Sequence, residues 1–153
     1  MEPRVPMTNA ELLQAMNARM PPTSALLGRQ VLAIDPEAGT VRMSFEGRRE
    51  YCNPMGNVQG GFIAAMLDDC AAIAAIAKSG MRIAIPTLEL KVSYFAPAKV
   101  GTLFAEGRCL RLGQRAAFME ADLLDADGKL LARMTTTGLP IPMPDTALMV
   151  ASS

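Results

Sequence analysis

Two neighbouring carboxylates, Asp68 and Asp69, stand inside a run of small and apolar residues. Apart from them, residues 62–77 contain only Phe, Ile, Leu, Met, Ala and Cys, and Lys78 and Gly80 follow as expected at the end of a helix. A helix that is apolar on every side is typically buried. A buried carboxylate is costly unless it is paired or used. This predicted helix is therefore the first place to look for an acid–base group or a nucleophile.

Adjacent residues of a helix project about 100° apart, so Asp68 and Asp69 cannot both face one pocket. One reading is that one of the two lines a reactive pocket. The other is that one or both reach solvent or a subunit interface. Helix geometry alone leaves both readings open.

The segment that precedes this helix, residues 53–61, has the composition of a turn. It contains an Asn-Pro step and the glycines Gly56, Gly60 and Gly61. The N–H groups in the first turn of a helix lack partners and carry partial positive charge. Glycines at that position let a ligand approach the backbone, which predicts an anion or oxyanion site about two helical turns from Asp68. The alternative is a tight turn whose glycines only supply positive φ.

This arrangement resembles the signature of hotdog-fold acyl-CoA thioesterases of the phenylacetate-degradation (PaaI-like) type. The matching pattern is Asn53-x-x-Gly56-x-x-Gln59-Gly60-Gly61 followed seven residues later by Asp68. The signature usually has His where this chain has Gln59. The resemblance continues through residues 85–90, 94–99 and Gly101, and it extends over residues 25–140.

The resemblance implies an α+β hotdog fold in which an antiparallel sheet wraps around one long helix. It implies hydrolysis of an acyl- or aryl-CoA thioester without a cofactor. It also implies a homodimer, or a dimer of dimers, in which the glycine turn of one subunit faces the carboxylate of the other.

The resemblance assigns the reactive carboxylate to Asp68, acting as a general base on water or as a nucleophile that forms a mixed anhydride. We then expect Asp69 to face solvent or an interface. The Gly60 N–H is the expected oxyanion donor. Thr87 matches a Ser or Thr that orients the attacking water, although it is also an ordinary strand residue.

Further site residues follow from the same pattern. Asn53 either holds its own turn or reaches the thioester carbonyl. Gly56 and Gly61 are expected to contact substrate. Gln59 can donate a hydrogen bond as a neutral imidazole does, but it cannot titrate. Gln59 therefore either works as a donor or marks a slow enzyme or a non-catalytic protein that binds acyl-CoA or a small aromatic ligand. A third hypothesis is a purely structural oligomer.

Composition removes several classes of function. The 153 residues include no His, so Ser-His-Asp and Cys-His catalysis and the common zinc sites are excluded. A formal net charge of zero and the lack of a basic cluster argue against nucleic acid as a partner. The three scattered cysteines indicate a reducing compartment, and residues 1–4 do not open a secretory signal, so we expect a cytoplasmic protein. The apolar run of the central helix is expected to be too short to span a bilayer.

The remaining elements follow from periodicity and turn residues. Thr8 and Glu11 form a capping box for an amphipathic helix that ends at Pro21-Pro22, with a role as a lid over the substrate as an alternative. A hairpin is predicted over residues 30–45. Four strands are predicted after the central helix as an antiparallel meander, at residues 87–95, 101–112, 116–124 and 129–137.

In the first of these strands, Thr87 is predicted to point away from the face that carries Leu88, Leu90, Val92 and Tyr94. We divide the chain into an N-terminal helix and lead-in (1–24), a hotdog domain (25–140) and an extended or disordered tail (141–153). Basic residues available for CoA phosphates are Arg82, Lys91, Lys99, Arg108, Arg111 and Arg115.

Overall fold

The computed structural model describes residues 6–144 and 150–151. That part of the chain forms three α-helices: Asn9–Ala18 (α1), Pro22–Leu26 (α2) and Gly60–Lys78 (α3). Its strands are Arg19–Met20 (β1), Gln30–Asp35 (β2), Thr40–Gly47 (β3), Ile83–Ala84 (β4), Thr87–Tyr94 (β5), Gly101–Leu112 (β6), Ala117–Leu124 (β7), Leu130–Gly138 (β8), Ile141–Pro142 (β9) and Val150–Ala151 (β10). A short 3-10 turn, Arg49–Tyr51, leads from the β2–β3 hairpin towards α3.

One long helix packs against one antiparallel sheet, as predicted. The sheet has six strands in the order β2-β3-β6-β7-β8-β5. Alternation places Val41, Met43 and Phe45 of β3 in the core, because the side chains of a strand point to its two faces in turn. The fold class α+β is therefore confirmed.

The helix α3 is the centre of the core. By length and composition alone it could also cross a membrane, so the expectation that this run is too short for a bilayer is wrong. Its side chains nevertheless face the sheet, and Met66, Leu67 and Cys70 have no exposed surface. This placement is that of the core helix of a globular domain.

The four strands after α3 do not form a simple meander. β6, β7 and β8 are consecutive neighbours, but β5 pairs with β8 at the far edge of the sheet and β6 pairs with β3. The prediction of a sequential meander is wrong for β5, because the segment between β5 and β6 carries the chain past β7 and β8. As a result β5 lies beside the flank of α3, where the sheet ends.

Local signals at the chain's turns are largely confirmed. Thr8 and Glu11 form the capping box of α1. Gly80 and Gly128 adopt φ of +68° and +82°, conformations that favour glycine. The helix α1 ends at Ala18 rather than at Pro21-Pro22, and Pro22 instead opens α2, where its missing N–H has no cost.

Described segments near both ends of the chain contact the rest of the fold. Met16 of α1 belongs to the main core cluster. β9 pairs with β4, and β10 pairs with β1. Residues 1–5, 145–149 and 152–153 lie outside the described part, together with much of the predicted tail. The division at residues 24 and 140 stays a prediction.

Candidate active site

Asp68 lies on the flank of α3 that faces β5. The Thr87 hydroxyl donates a hydrogen bond to Asp68 Oδ1 at 2.9 Å. Asp68 is half-buried and Thr87 is exposed, so the pair is open to a ligand from outside. The structure thus brings together the two residues that the resemblance implicates in activating water.

Thr87 reaches the helix because β5 contains a bulge at Leu88. The pairing with β8 shifts by one residue between Thr87 and Glu89. In a regular strand Thr87 and Tyr94 would face opposite sides, because they are seven residues apart, yet the hydroxyls of both contact α3. The prediction that Thr87 points away from the face of Leu90 and Tyr94 is therefore wrong, because a bulge reverses the alternation.

Asp69 faces inward, in another direction from Asp68. Its Oδ2 accepts a hydrogen bond from the Ser24 hydroxyl at 2.8 Å, and its Oδ1 lies 3.6 Å from Arg29 Nη1. The Asp69 side chain is 19% exposed and that of Arg29 only 2%. The expectation of a solvent-facing or interface carboxylate is wrong, because α2 and the residues that follow it supply internal partners.

The electrostatics of this pair are those of a buried ion pair. Burial raises the pKa of Asp69, and the charge of Arg29 opposes that shift. Burial also lowers the pKa of Arg29, opposed by Asp69. Arg29 Nη2 further donates to the carbonyl oxygen of Met16, so the cluster ties α1, α2 and α3 together.

The amino end of α3 begins with a side-chain cap. Gln59 is the N-cap residue, and its Oε1 accepts a hydrogen bond from the Gly61 N–H at 2.8 Å. In the described part of the chain, the Gly60 N–H has no acceptor. The structure therefore leaves the Gly60 N–H unoccupied and the Gly61 N–H occupied, and the role of Gly60 as oxyanion donor stays a prediction.

Tyr94 is a neighbour of this helix end that sequence reasoning missed. Its hydroxyl donates to the Gly60 carbonyl oxygen at 2.6 Å, and its ring lies where a side chain at residue 60 would project. Alternation correctly put Tyr94 on the apolar face of β5. No sequence signal indicated a contact between residues 34 positions apart.

Asn53 holds the glycine turn. Its Oδ1 accepts hydrogen bonds from the N–H groups of Met55 and Asn57, at 3.0 and 3.2 Å. Gly56 follows with φ of +77°, which explains the glycine without a ligand. Asn53 thus has the turn-forming role that we considered, and a contact of Asn53 or Gly56 with substrate stays a prediction.

The basic residues differ in their surroundings. Lys99 lies beside the glycine turn, where Nζ donates to Asn57 Oδ1 at 2.8 Å. Arg108 instead forms ion pairs with Glu120 and Asp122 on the outer face of the sheet. Within the described residues, no group of His, Cys, Asp or Glu side chains has the arrangement of a metal site.

Comparison with models of known protein families identifies the family to which this chain belongs. A model of the thioesterase superfamily matches residues 55–132, which contain the three glycines of the turn, Asp68 and Thr87. The chain belongs to the thioesterase superfamily. Its fold is the hotdog fold of that superfamily, with the sheet around α3.

Individual proteins similar to this chain carry esterase or thioesterase names, in agreement with the family match. A protein of Saccharolobus solfataricus that is provisionally assigned as an esterase is 30% identical over 103 residues, which are 67% of this chain and 73% of the relative. Human acyl-coenzyme A thioesterase 13 is 26% identical over 110 residues, covering 71% of this chain and 77% of the relative. The crystal structure of a phenylacetic acid degradation-related protein of Ralstonia eutropha, provisionally assigned as a thioesterase, superposes with a TM-score of 0.74 at 34% identity and covers 78% and 90% of the two chains.

Proposed function

We propose that this protein hydrolyses the thioester of an acyl- or aryl-CoA, with Asp68 as the carboxylate that drives the attack. The proposal rests on the 2.9 Å hydrogen bond between Thr87 and Asp68, which fixes a carboxylate on an open flank of α3. The superfamily and the relative named acyl-coenzyme A thioesterase support the choice of substrate.

In the general-base route, Asp68 accepts a proton from water while the water oxygen attacks the thioester carbon. The carbonyl oxygen becomes an oxyanion that accepts a hydrogen bond from a Gly60 N–H. The C–S bond then breaks, the sulfur leaves with the bonding electrons, and the proton on Asp68 passes to that thiolate. In the alternative route an Asp68 oxygen attacks the carbon itself, the C–S bond breaks, and the sulfur leaves with the bonding electrons and takes up a proton from solvent. Water then attacks the mixed anhydride, which releases the carboxylic acid and restores the Asp68 carboxylate.

A second subunit completes the site in this proposal. Gly60 and Asp68 are eight residues apart on α3, which is about 12 Å along the helix axis. A reacting carbonyl needs its oxyanion donor and its nucleophile each about 3 Å away. We therefore assign the oxyanion donor for this Asp68 to Gly60 of the partner subunit.

The two edges of the sheet differ in a way that favours β5 as the dimer contact. At the β2 edge, the Asn17 side chain bonds both the N–H and the carbonyl oxygen of Val31, each at 2.9 Å. At the other edge, β5 has β8 as its strand partner in the described part of the chain. The apolar side chains of Leu88 and Phe95, at this edge, are 62% and 58% exposed. A bare apolar edge is a template for strand pairing.

The charges of β5 suit pairing with a second copy of itself. Glu89 and Lys91 flank Leu90 and share the face opposite to α3. Antiparallel pairing about a two-fold axis at Leu90 would set Glu89 opposite Lys91 of the partner subunit, and the same pair would recur on the other side of the axis. In this register each Glu89 carboxylate lies opposite a Lys91 ammonium group, so both charges are paired.

The function is tested by thiol release from a panel of acyl- and aryl-CoA esters, with Asp68→Asn beside the wild type. We expect turnover by the wild type and a loss of about a hundredfold or more in the variant. Thr87→Val, which removes only the hydroxyl that holds Asp68, should cause a smaller loss. Equal rates for the wild type and Asp68→Asn would contradict the proposal.

The second candidate is a non-catalytic hotdog protein that binds acyl-CoA or a small aromatic ligand. The absence of a titrating side chain at Gln59 favours it. Acyl-CoA binding by calorimetry together with no thiol release from any ester would identify this function. The cytoplasmic location stays part of the proposal, in keeping with three free cysteines.

A further inference from the structure

We infer that Gln59 is a catalytic residue whose Nε2–H group donates a second hydrogen bond to the oxyanion. The inference rests on the proposed function. It concerns the position at which this chain departs from the thioesterase signature. It also explains how a chain without histidine keeps two donors at the start of α3.

The cap fixes the orientation of the Gln59 amide. The Gly61 N–H requires an acceptor, so the atom 2.8 Å away is Oε1 and not Nε2. Nε2 therefore points away from that bond, and it lies 3.6 Å from the position that a Cβ on Gly61 would take. Gln59 is exposed, and within the described residues its Nε2 has no acceptor. The amide thus presents an unused donor at the helix end.

The hydrogen bond between Gln59 and Gly61 also determines which backbone N–H at the start of α3 can bind an oxyanion. Since the Gly61 N–H is satisfied by Gln59, it is not free for a carbonyl oxygen. The Gly60 N–H has no acceptor in the described part of the chain. The next peptide, which joins the Gly60 carbonyl to the capped Gly61 N–H, is held against β5 by the Tyr94 hydroxyl. The amino end of α3 therefore offers one free backbone donor, next to a peptide that is fixed at both of its polar atoms, and one side-chain donor, and oxyanion sites commonly combine two such donors.

Glutamine can take this part for a simple chemical reason. A neutral imidazole and a primary amide each present an acceptor and a donor on one rigid plane. Either group can cap Gly61 with the acceptor and leave the donor for the substrate. Only the imidazole titrates near neutral pH, so the donor of Gln59 persists across the pH range.

The test separates the cap from the donor with Gln59→Glu and Gln59→Ser. Both replacements keep an oxygen that accepts from a helix-start N–H, so the cap remains. Neither keeps the Nε2–H group. We expect kcat to fall about a hundredfold in both variants, with KM and the midpoint of thermal unfolding near those of the wild type.

Gln59→His is the rescue variant. It should retain most of the wild-type kcat at pH 8 and add a new decline at acid pH, near the usual imidazole pKa of about 6.5, because the protonated ring cannot accept from Gly61. The wild type should lack this decline.

Two results would overturn the inference, and they are distinguishable from a failure of the proposed function. If the wild type is active and Gln59→Glu and Gln59→Ser keep its kcat, Gln59 only caps the helix. If their losses vary with the acidity of the thiol leaving group, the donor acts on sulfur and not on the oxyanion. If neither the wild type nor Asp68→Asn releases thiol from any ester, the proposed function is contradicted, and this inference fails with it.

Discussion

Asp68 and Asp69 are neighbours in sequence with different surroundings. Asp68 has a hydroxyl partner on the open flank of α3, and Asp69 has Ser24 and Arg29 beneath the N-terminal helices. A carboxylate that stays accessible can meet substrate, whereas a carboxylate held by a buried guanidinium holds helices in place. Asp68 is thus placed for the proposed chemistry, whereas Asp69 has a structural role.

Breaking the buried ion pair between Arg29 and Asp69 should destabilise the fold. Arg29→Met leaves Asp69 buried without a counter-charge, and we expect a loss of about 3 kcal/mol in the free energy of unfolding. The measurement is urea unfolding at a fixed protein concentration.

Arg42→Met is the matched control for that experiment. Arg42 and Glu106 form an ion pair whose side chains are 47% and 42% exposed, so the expected loss is below about 1 kcal/mol. Equal losses for Arg29→Met and Arg42→Met would mean that Arg29 contributes no more than a surface charge.

Sequence reasoning separated these residues only in part. Helix geometry showed that Asp68 and Asp69 diverge, and the spacing after Gly61 selected Asp68. The partner of Asp69 was beyond prediction, because Arg29 lies 40 positions away and a basic residue near a loop gives no sign of burial. The Gln59 cap was also beyond prediction, because Gln is not among the residue types that favour the N-cap of a helix.

At the scale of elements, the outer face of the sheet carries a network of ion pairs. Asp122 of β7 accepts hydrogen bonds from Arg133 of β8 and Arg108 of β6, and Arg108 also pairs with Glu120. These cross-strand pairs link the three central strands on the side away from α3. The bond with Arg133, followed by that with Arg108, lowers the pKa of Asp122 below its ordinary value of 3.8.

This shift predicts an acid-sensitive contribution to stability. With a lowered folded-state pKa, Asp122 stabilises the fold above pH 3.8, and that contribution is lost as the pH falls below this value, where the unfolded chain binds the proton first. Asp122→Asn should lower stability by about 2 kcal/mol at pH 7 and flatten the decline below pH 4. Unfolding followed from pH 7 to pH 2 measures both effects.

Asp127→Asn changes an exposed carboxylate in the turn between β7 and β8 and is the control. Its acid decline should match that of the wild type. An Asp122→Asn profile parallel to the wild-type profile would contradict a lowered pKa of Asp122.

The positions of the six strands of the main sheet were predicted well, whereas their order and the four two-residue strands, β1, β4, β9 and β10, were not. Alternation and turn residues located β2, β3, β6, β7 and β8, because those signals are local. The place of β5 beside β8 depends on contacts across the whole sheet. The bulge at Leu88 was also missed, since an extra residue within a regular apolar alternation leaves the pattern unchanged while it reverses which side Thr87 faces.

At the scale of the whole molecule, the proposed site needs two copies of the chain. Each protomer would contribute Asp68 and Thr87 to one site and Gly60 and Gln59 to the other. Activity should therefore depend on the same contact that joins the subunits.

A charge exchange on β5 tests that contact. Glu89→Lys would set two lysines opposite each other across the two-fold axis, and we expect weaker association with a parallel loss of thiol release. The double variant Glu89→Lys with Lys91→Glu restores opposite charges and should recover both. Sedimentation velocity and thiol release over a dilution series measure them.

The register is wrong if Glu89→Lys assembles as the wild type does, or if the double variant is no better than the single one. Lys129→Glu, on the exposed turn between β7 and β8, is the control for a general effect of charge. It should change neither measurement.

Asn17 sets a limit on how large such an assembly can grow. Its amide occupies the N–H and the carbonyl oxygen of Val31 as another strand would, so the beginning of the β2 edge is covered within the protomer. A protomer with two open edges could add copies without end and form a filament. If β5 forms the proposed contact, joining two copies consumes both β5 edges. With Val31 covered at the other edge, growth along the sheet would then stop at a finite pair.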